Sequence, residues 1–396
     1  MTTASLYWDP YDTVLDDDPY PVWKRLRDEA PVYRNDELDF WALSRFADIE
    51  AAHKDPTTFS SAHGTVLERM GPDAGHSRMM IFLDPPEHSI LRSLVSRAFT
   101  PRRVSGIVDQ VRKICAELLD PHVGAAGFDY VQDFAAQLPS RVISSLVGVA
   151  PEEQEPTRRL VEDMFHIEPG VGMVNDISAT AALELVVYLS ELVEARRAEP
   201  RDDLVSGLVQ AEITDGDSTR RLTSDECTEF AILLYTAGTE TVAKLLGNAA
   251  VVLAANADQR ATLTAEPALI PGAIEELLRL EAPSPINGRW TTRDVELHRT
   301  TIPKDSRVLL LTGSAGRDER VFPDPERFDV HRSSAHHLSF GHGAHFCIGA
   351  ALARLEGRVA LEETLSRFPE WDVDPAGVER AHTSTVRGYR RVEIRT

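Results

Sequence analysis

Cysteine is scarce: the 396 residues hold three, Cys115, Cys227 and Cys347. So odd and sparse a set excludes a disulfide framework and fits a reducing cytoplasm. Positive charge is also in deficit, with 42 Lys and Arg against 63 Asp and Glu, a formal charge of −21. Phosphate affinity comes from clustered Lys and Arg, so this balance speaks against nucleic acid. It speaks equally against an anionic membrane surface as the main partner. Long apolar runs are missing. The best cover residues 230–235, 249–255 and 308–311, far short of the ~18 that suggest a spanning helix. The opening residues, MTTASLYWDPYD, have no basic or apolar stretch of the kind a signal peptide needs. Gly (23) and Pro (24) are spread out, with no repeat and no low-complexity linker.

What is present is ordinary globular material: 42% hydrophobic and 27% charged residues. Length alone would suggest two or three domains. The loosest stretches, 124–127, 168–175 and 214–219, are too short for interdomain linkers. One large domain over residues 1–396 is therefore expected. Residues 31–34 and 40–43 read as a hairpin, and 45–54 as a short helix. A second strand patch falls at 295–298 and 307–311. Helical periodicity covers 87–99, 104–120, 139–147, 178–198, 223–257, 268–280 and 347–368. The fold class is thus mainly α with small β-sheets (α+β).

The segment 223–257 carries the most information. Thr223 and Glu226 form a capping-box start. About 35 proline-free residues follow, against the roughly 11–12 of an average helix. A helix that long should cross the whole domain. Leu234, Ala237, Gly238 and Thr241 fall on one face at i, i+3, i+4 and i+7. Three of the four are small, so something flat or bulky could approach the backbone there.

The most specific segment runs from Phe340 to Ala350, FGHGAHFCIGA. Its glycines, Gly341, Gly343 and Gly349, allow tight turns and close approach to a ligand. Cys347 sits where a helix begins, and unpaired N–H groups there stabilise a thiolate. Such a thiolate beside a flat apolar slot suits an axial ligand to haem iron. Read alone, the loop fits a buried, inert cysteine equally well. Zinc is disfavoured because no second cysteine lies at ligand spacing. A cysteine nucleophile is disfavoured because His345 lies only two residues away in the same loop. Cys115 and Cys227 lack any such loop and read as packing residues.

Together with other motifs, this loop resembles the cysteine-ligand signature of the cytochrome P-450 family of haem-thiolate monooxygenases. The likeness is greatest to the family's bacterial members and runs from about residue 17 to the C-terminus. It implies the cytochrome P-450 fold, with the long central helix over a buried haem b, and makes Cys347 the proximal iron ligand. Phe340 and Gly349 belong to the same signature. Glu276-Leu277-Leu278-Arg279 matches the family's E-x-x-R helix, with Arg327 resembling the usual third member. Ala237-Gly238-Thr239-Glu240-Thr241 matches the oxygen-activation motif, which implies that Thr241 and Glu240 deliver protons during O2 activation. His88 and Arg92, spaced i, i+4, match haem-propionate positions, as do Arg289 and His345. Two departures stand out: Val242 follows Thr241 where many members carry Thr or Ser, and Gly316 occupies a usual Asn position.

The resemblance implies insertion of one oxygen atom from O2 into a C–H bond of a medium-sized hydrophobic substrate. Electrons would come from a separate ferredoxin and NAD(P)H-dependent reductase, since no flavin or Fe–S module is fused. Arg97, Arg102, Arg103, Arg112 and Lys113 are candidates for a docking patch on the Cys347 side. Substrate contacts are expected from residues 62–82, 164–176, 234–241, 285–288 and 383–386. Met79, Met80, Phe82, Phe165, Leu234, Ile286 and Val386 make these mostly apolar. Arg69 or Arg78 could pair with a substrate carboxylate. The same haem chemistry also serves epoxidation, oxidative coupling or peroxide-driven oxygenation, and a non-catalytic haem sensor is a further alternative.

Overall fold

The computed structural model of the protein describes residues 6–72, 74, 78–96, 99–168, 172–215, 218–333, 336–383 and 385–396. The helices that build the site are α1 (Phe46–Lys54), α2 (Glu87–Ser96), α3 (Gln137–Val147), α4 (Asp176–Ala198), α5 (Ser224–Ala255), α6 (Ile270–Leu280) and α7 (Ala350–Arg367). Helix α5 is the axis, and α3, α4, α6 and α7 all pack on it. Its start is the expected capping box. Thr223 Oγ1 accepts from Glu226 N at 3.2 Å, and a Glu226 carboxylate oxygen accepts from Thr223 N at 2.8 Å. The run of 32 helical residues that follows is unbroken. Burial on nearly every side explains its length, because packing and not propensity stabilises such a helix.

Strands β1 (Val32–Asn35), β2 (Phe40–Leu43), β3 (Phe59–Ser60), β5 (Asn287–Thr291) and β6 (Arg307–Leu310) form one sheet in the order β1-β2-β6-β5-β3. Here β2 and β6 run parallel, and the other pairs are antiparallel. A second sheet joins β4 (Phe128–Asp129) to the antiparallel pair β7 (Asp372–Ala381) and β8 (Gly388–Arg395). The apolar residues sort into two clusters: a large one around α5, and a smaller one under the first sheet. The first sheet brings Arg289 toward the cysteine loop, and β8 lays Gly388 over α5.

Several boundaries differ from the sequence reading. The expected helix 104–120 is two pieces, Pro101–Ser105 and Val108–Leu119, divided at Gly106. The helix after Cys347 starts at Ala350, not at the cysteine. Helices Gln154–Met164, Leu204–Gln210 and Ala257–Ala265 were not anticipated, nor was the β7–β8 hairpin. Strand β7 carries Pro375 and Gly377 and buries little, so it lacks the apolar alternation that marks a strand. No described helix is long and apolar enough to cross a membrane.

Candidate active site

The loop before α7 is held from behind by α6. Ser339 Oγ donates to Leu278 O at 2.6 Å, and His337 lies 3.2 Å from Glu275 Oε2. Glu275 also receives Arg354 of α7 at 2.7 and 2.8 Å. One carboxylate thus ties together the loop, α6 and α7. Burial would push Glu275 up, but Arg354 and His337 bring it down to about 2. The neighbouring Glu276 and Arg279 are fully buried and joined by two bonds of 2.7 and 2.8 Å. The third member of this network is Arg332, 3.0 Å from Glu276. Arg327, expected in that role, is exposed and offers only its carbonyl to Arg279 at 3.3 Å. A single turn of chain therefore puts the motif's arginine elsewhere than the spacing implied.

Within the loop, Cys347 N donates to Phe340 O at 2.8 Å and closes the turn. Gly341 and Gly343 both sit at φ +68°, a left-handed conformation. At Gly343 a Cβ would lie 2.5 Å from His53 O, so the glycine lets the loop rest on the end of α1. Gly349 N–H points at Cys347, and a Cβ there would face Sγ at 3.9 Å. Cys347 is half-buried, where Cys115 and Cys227 are buried. Burial pushes its thiol up, while the Gly349 amide, Arg92 and Arg354 pull it down. Burial outweighs these groups, while the Gly349 amide acts in the direction expected of N–H groups near a helix start.

The cationic residues predicted from sequence do converge. The His88 and His345 rings lie 4.2 Å apart between centroids. Arg289 is buried, and its Nη1 donates to its neighbour's carbonyl, Gly288 O, at 2.7 Å. Arg92 reaches back to Phe346 O at 2.6 Å, so it braces the cysteine loop. His345 is held down to about 3 by burial, with Arg289, His88, Arg92 and His53 adding repulsion. Burial also lowers Arg289 to about 10, relieved only by Asp84. His88 Nδ1 and His345 Nε2 are buried without partners. This excess of buried donors over acceptors is a cradle for anionic groups, and two carboxylates on one rigid body fit it. His53 was not read from the sequence. Its signal was slight, since a lone histidine on a helix usually marks nothing.

On α5, Ala237 is exposed although most of the helix is buried. A cleft therefore reaches the helix at this point. Thr241 is half-buried, and its Oγ1 donates to Ala237 O at 2.9 Å. That back-bond occupies a carbonyl of the i→i−4 ladder. Gly238 has a different reason from the one anticipated. A Cβ there would lie 2.8 Å from Ile143 of α3, so its small size serves helix packing. Glu240 is buried and pairs with Lys244 at 3.0 Å, a partner that the sequence reading missed although i, i+4 spacing signals it.

Of the apolar residues named for a substrate, Met79, Met80, Phe165 and Leu234 join the cluster around α5. Ile286 packs on the sheet cluster. Arg78 lies 3.6 Å from Glu226 at the start of α5, and Arg69 is exposed. Residues 73, 75–77, 169–171 and Ser384, within the proposed contact segments, lie outside the described residues, as does Arg97. Of the docking candidates, Arg112 is engaged by Glu362 and Glu363, and Lys113 lies 3.7 Å from Glu117. Arg102 and Arg103 are exposed.

The chain matches the cytochrome P450 family over residues 39–386. It is 42% identical to putative cytochrome P450 123 of Mycobacterium tuberculosis, over 98% of this chain and 96% of that one. It is 36% identical to vitamin D(3) 25-hydroxylase of Pseudonocardia autotrophica, over 99% of this chain and 97% of that one. Among solved structures, a mutant of P450 EryK in complex with erythromycin B matches with a TM-score of 0.89. That pair shares 33% identity, covering 98% of this chain and 97% of the other.

Proposed function

The chain belongs to the cytochrome P450 family of monooxygenases, and from that premise we propose that it inserts one oxygen atom from O2 into a C–H bond of a medium-sized hydrophobic substrate. The observation that carries this reading is the pairing of the Cys347 loop with the donor-rich cradle of His88, Arg92, Arg289 and His345. The family binds haem; haem b fits here, because a planar group bearing an iron and two carboxylates answers both features at once.

In this reading Cys347 holds the iron, with the Gly349 amide directed at its sulfur. Phe340 closes the loop through its carbonyl, and Gly349 keeps space beside the sulfur. His88, Arg92, Arg289 and His345 hold the two carboxylates. Ala237 offers a flat surface on α5, and Gly238 lets α3 pack closely behind it. When bound, the cofactor supplies the activation of O2 and the oxidising power. The protein's part is to exclude water, orient the substrate and move protons. Thr241 donates from its hydroxyl, and Glu240 replenishes that proton. Electrons arrive from a separate ferredoxin and its reductase, in a cytoplasmic setting.

Two relatives support a bulky apolar substrate, one named for vitamin D(3) and one bound to erythromycin B. Met79, Met80, Phe165 and Leu234 supply apolar surface of that kind. The test is a panel of macrolides, sterols and fatty acids, first as ligands that shift the protein's absorption and then in turnover under 18O2. Product carrying one 18O atom is expected. Tight ligands that never acquire 18O would contradict an oxygen-inserting enzyme.

A further inference from the structure

Lys244 has no part in the chemistry above, yet it is a buried cation, 8% exposed, on the helix that carries Thr241. Its Nζ lies 3.0 Å from Glu240 Oε2, and Glu240 is 7% exposed. The lysine stem is clamped from outside by β8. A Cβ on Gly388 would come within 2.8 Å of Lys244 Cβ and 3.1 Å of its Cδ. The pair is therefore fixed at both ends, by α5 below and by the glycine above.

A buried ion pair is a poor way to gain stability. Taking two charges out of water costs about as much as their attraction returns, and apolar residues of equal volume often do better. What a buried pair does well is hold a charge in one place. Here the charge held is that of the carboxylate next to Thr241. The Thr241 hydroxyl is itself engaged, with Ala237 O at 2.9 Å. Both members of the proposed proton path thus rest on other partners.

We propose that Lys244 is a positioning residue that latches Glu240: the ion pair holds the carboxylate one helical turn away from Thr241, until a proton taken up by Glu240 breaks the pair and frees the carboxyl to serve Thr241. This rests on the reading of Glu240 and Thr241 as the proton path. Uptake of one proton by Glu240 neutralises the carboxylate, and the same proton passes on to Thr241, so the latch closes again without net change. The device makes proton supply conditional on the arrival of a proton from the protein's exterior and limits idle delivery.

The test compares K244M, E240Q, T241A and the E240Q/K244M double variant as haem-loaded proteins. Methionine keeps the unbranched stem under Gly388 and removes only the charge. Difference infrared spectra between K244M and the parent should show the Glu240 carboxylate stretch shifted by loss of its ion pair, a change missing when the double variant is compared with E240Q. With a surrogate ferredoxin, its reductase and NADPH, O2 consumption in K244M should show a smaller solvent deuterium isotope effect than the parent. E240Q should enlarge it. K244Q, which keeps the stem and a neutral donor, provides the same readouts if K244M does not fold. A K244M or K244Q protein with the parent's infrared spectrum and isotope effect would overturn the latch, provided E240Q and T241A alter that effect. If E240Q and T241A also leave it unchanged, the proton path itself fails and the latch falls with it.

Discussion

At the scale of single residues, the chemistry-bearing groups were legible where a motif fixed them and illegible where only burial did. Cys347, His88, Arg289 and His345 sit in patterned segments, and the fold brings them to one cleft. Arg332 and Glu275 are ordinary charged residues in sequence, and only packing gives them partners, whereas the Lys244 pair follows i, i+4 spacing on one helix. Glu356 is the extreme case. It is fully buried on α7, its Oε2 has no hydrogen-bond partner, and burial lifts it from 4.5 to about 8. An acid whose folded-state value is raised stays protonated in the fold while the unfolded chain has lost its proton. Stability from this group is therefore full below about 4.5 and falls as pH rises toward about 8. Chemical denaturation of Glu356→Gln and parent across that range should give a stability gap widening by about 1.4 kcal/mol per pH unit. Parallel curves would show Glu356 to be ionised in the fold. Thr241→Ala should uncouple NAD(P)H use from product, releasing hydrogen peroxide, because the proposed proton path ends at its hydroxyl. Unchanged coupling would remove Thr241 from the proton path.

At the scale of elements, the long helix was readable from its capping box and its proline-free length. The β7–β8 hairpin was not, because β7 is mostly exposed and carries no alternating pattern. The helices that meet behind the cysteine explain the motif's cost. Gly357 of α7 has room for a Cβ only 3.2 Å from both Leu245 of α5 and Ile274 of α6, so the three pack at a glycine. Glu276→Ala would leave Arg279 buried at the same junction without its carboxylate counter-charge, held by backbone carbonyls such as Gly316 O and Pro325 O. Breaking one partner of such a pair should lower stability by about 3–5 kcal/mol, read as a fall in the denaturation midpoint and poor haem retention. Gly343→Ala should loosen the loop without touching that junction. Its Cβ would meet His53 O at 2.5 Å, and its φ of +68° disfavours any side chain. The expected outcome is faster haem loss with the denaturation midpoint of α5–α7 unchanged. Gly316, which stands at a usual Asn position, packs against the Arg279 carbonyl with no room for a Cβ. The departure from Asn at that position therefore belongs to the junction.

At the scale of the whole molecule, a net charge of −21 sets how a redox partner approaches. An acidic ferredoxin would be repelled except at a local cationic face. On the Cys347 side, Arg102 and Arg103 are exposed, and Phe346 presents an apolar ring at 38% exposure. Arg112 is already engaged by two glutamates, so it contributes less than its charge suggests. Charge reversal at Arg102 and Arg103 together should slow reduction by an acidic ferredoxin by about an order of magnitude at low salt, an effect that shrinks as salt rises. Rates that ignore both the substitutions and the salt would place docking elsewhere. The central claim, that Cys347 binds haem iron as a thiolate, is tested most directly by the absorption spectrum of the purified protein, oxidised and then dithionite-reduced under carbon monoxide. The account predicts a Soret band moved to the long wavelength typical of thiolate opposite CO, and its loss in Cys347→Ser. A Soret band typical of histidine or neutral thiol, or none after haem reconstitution, would contradict it.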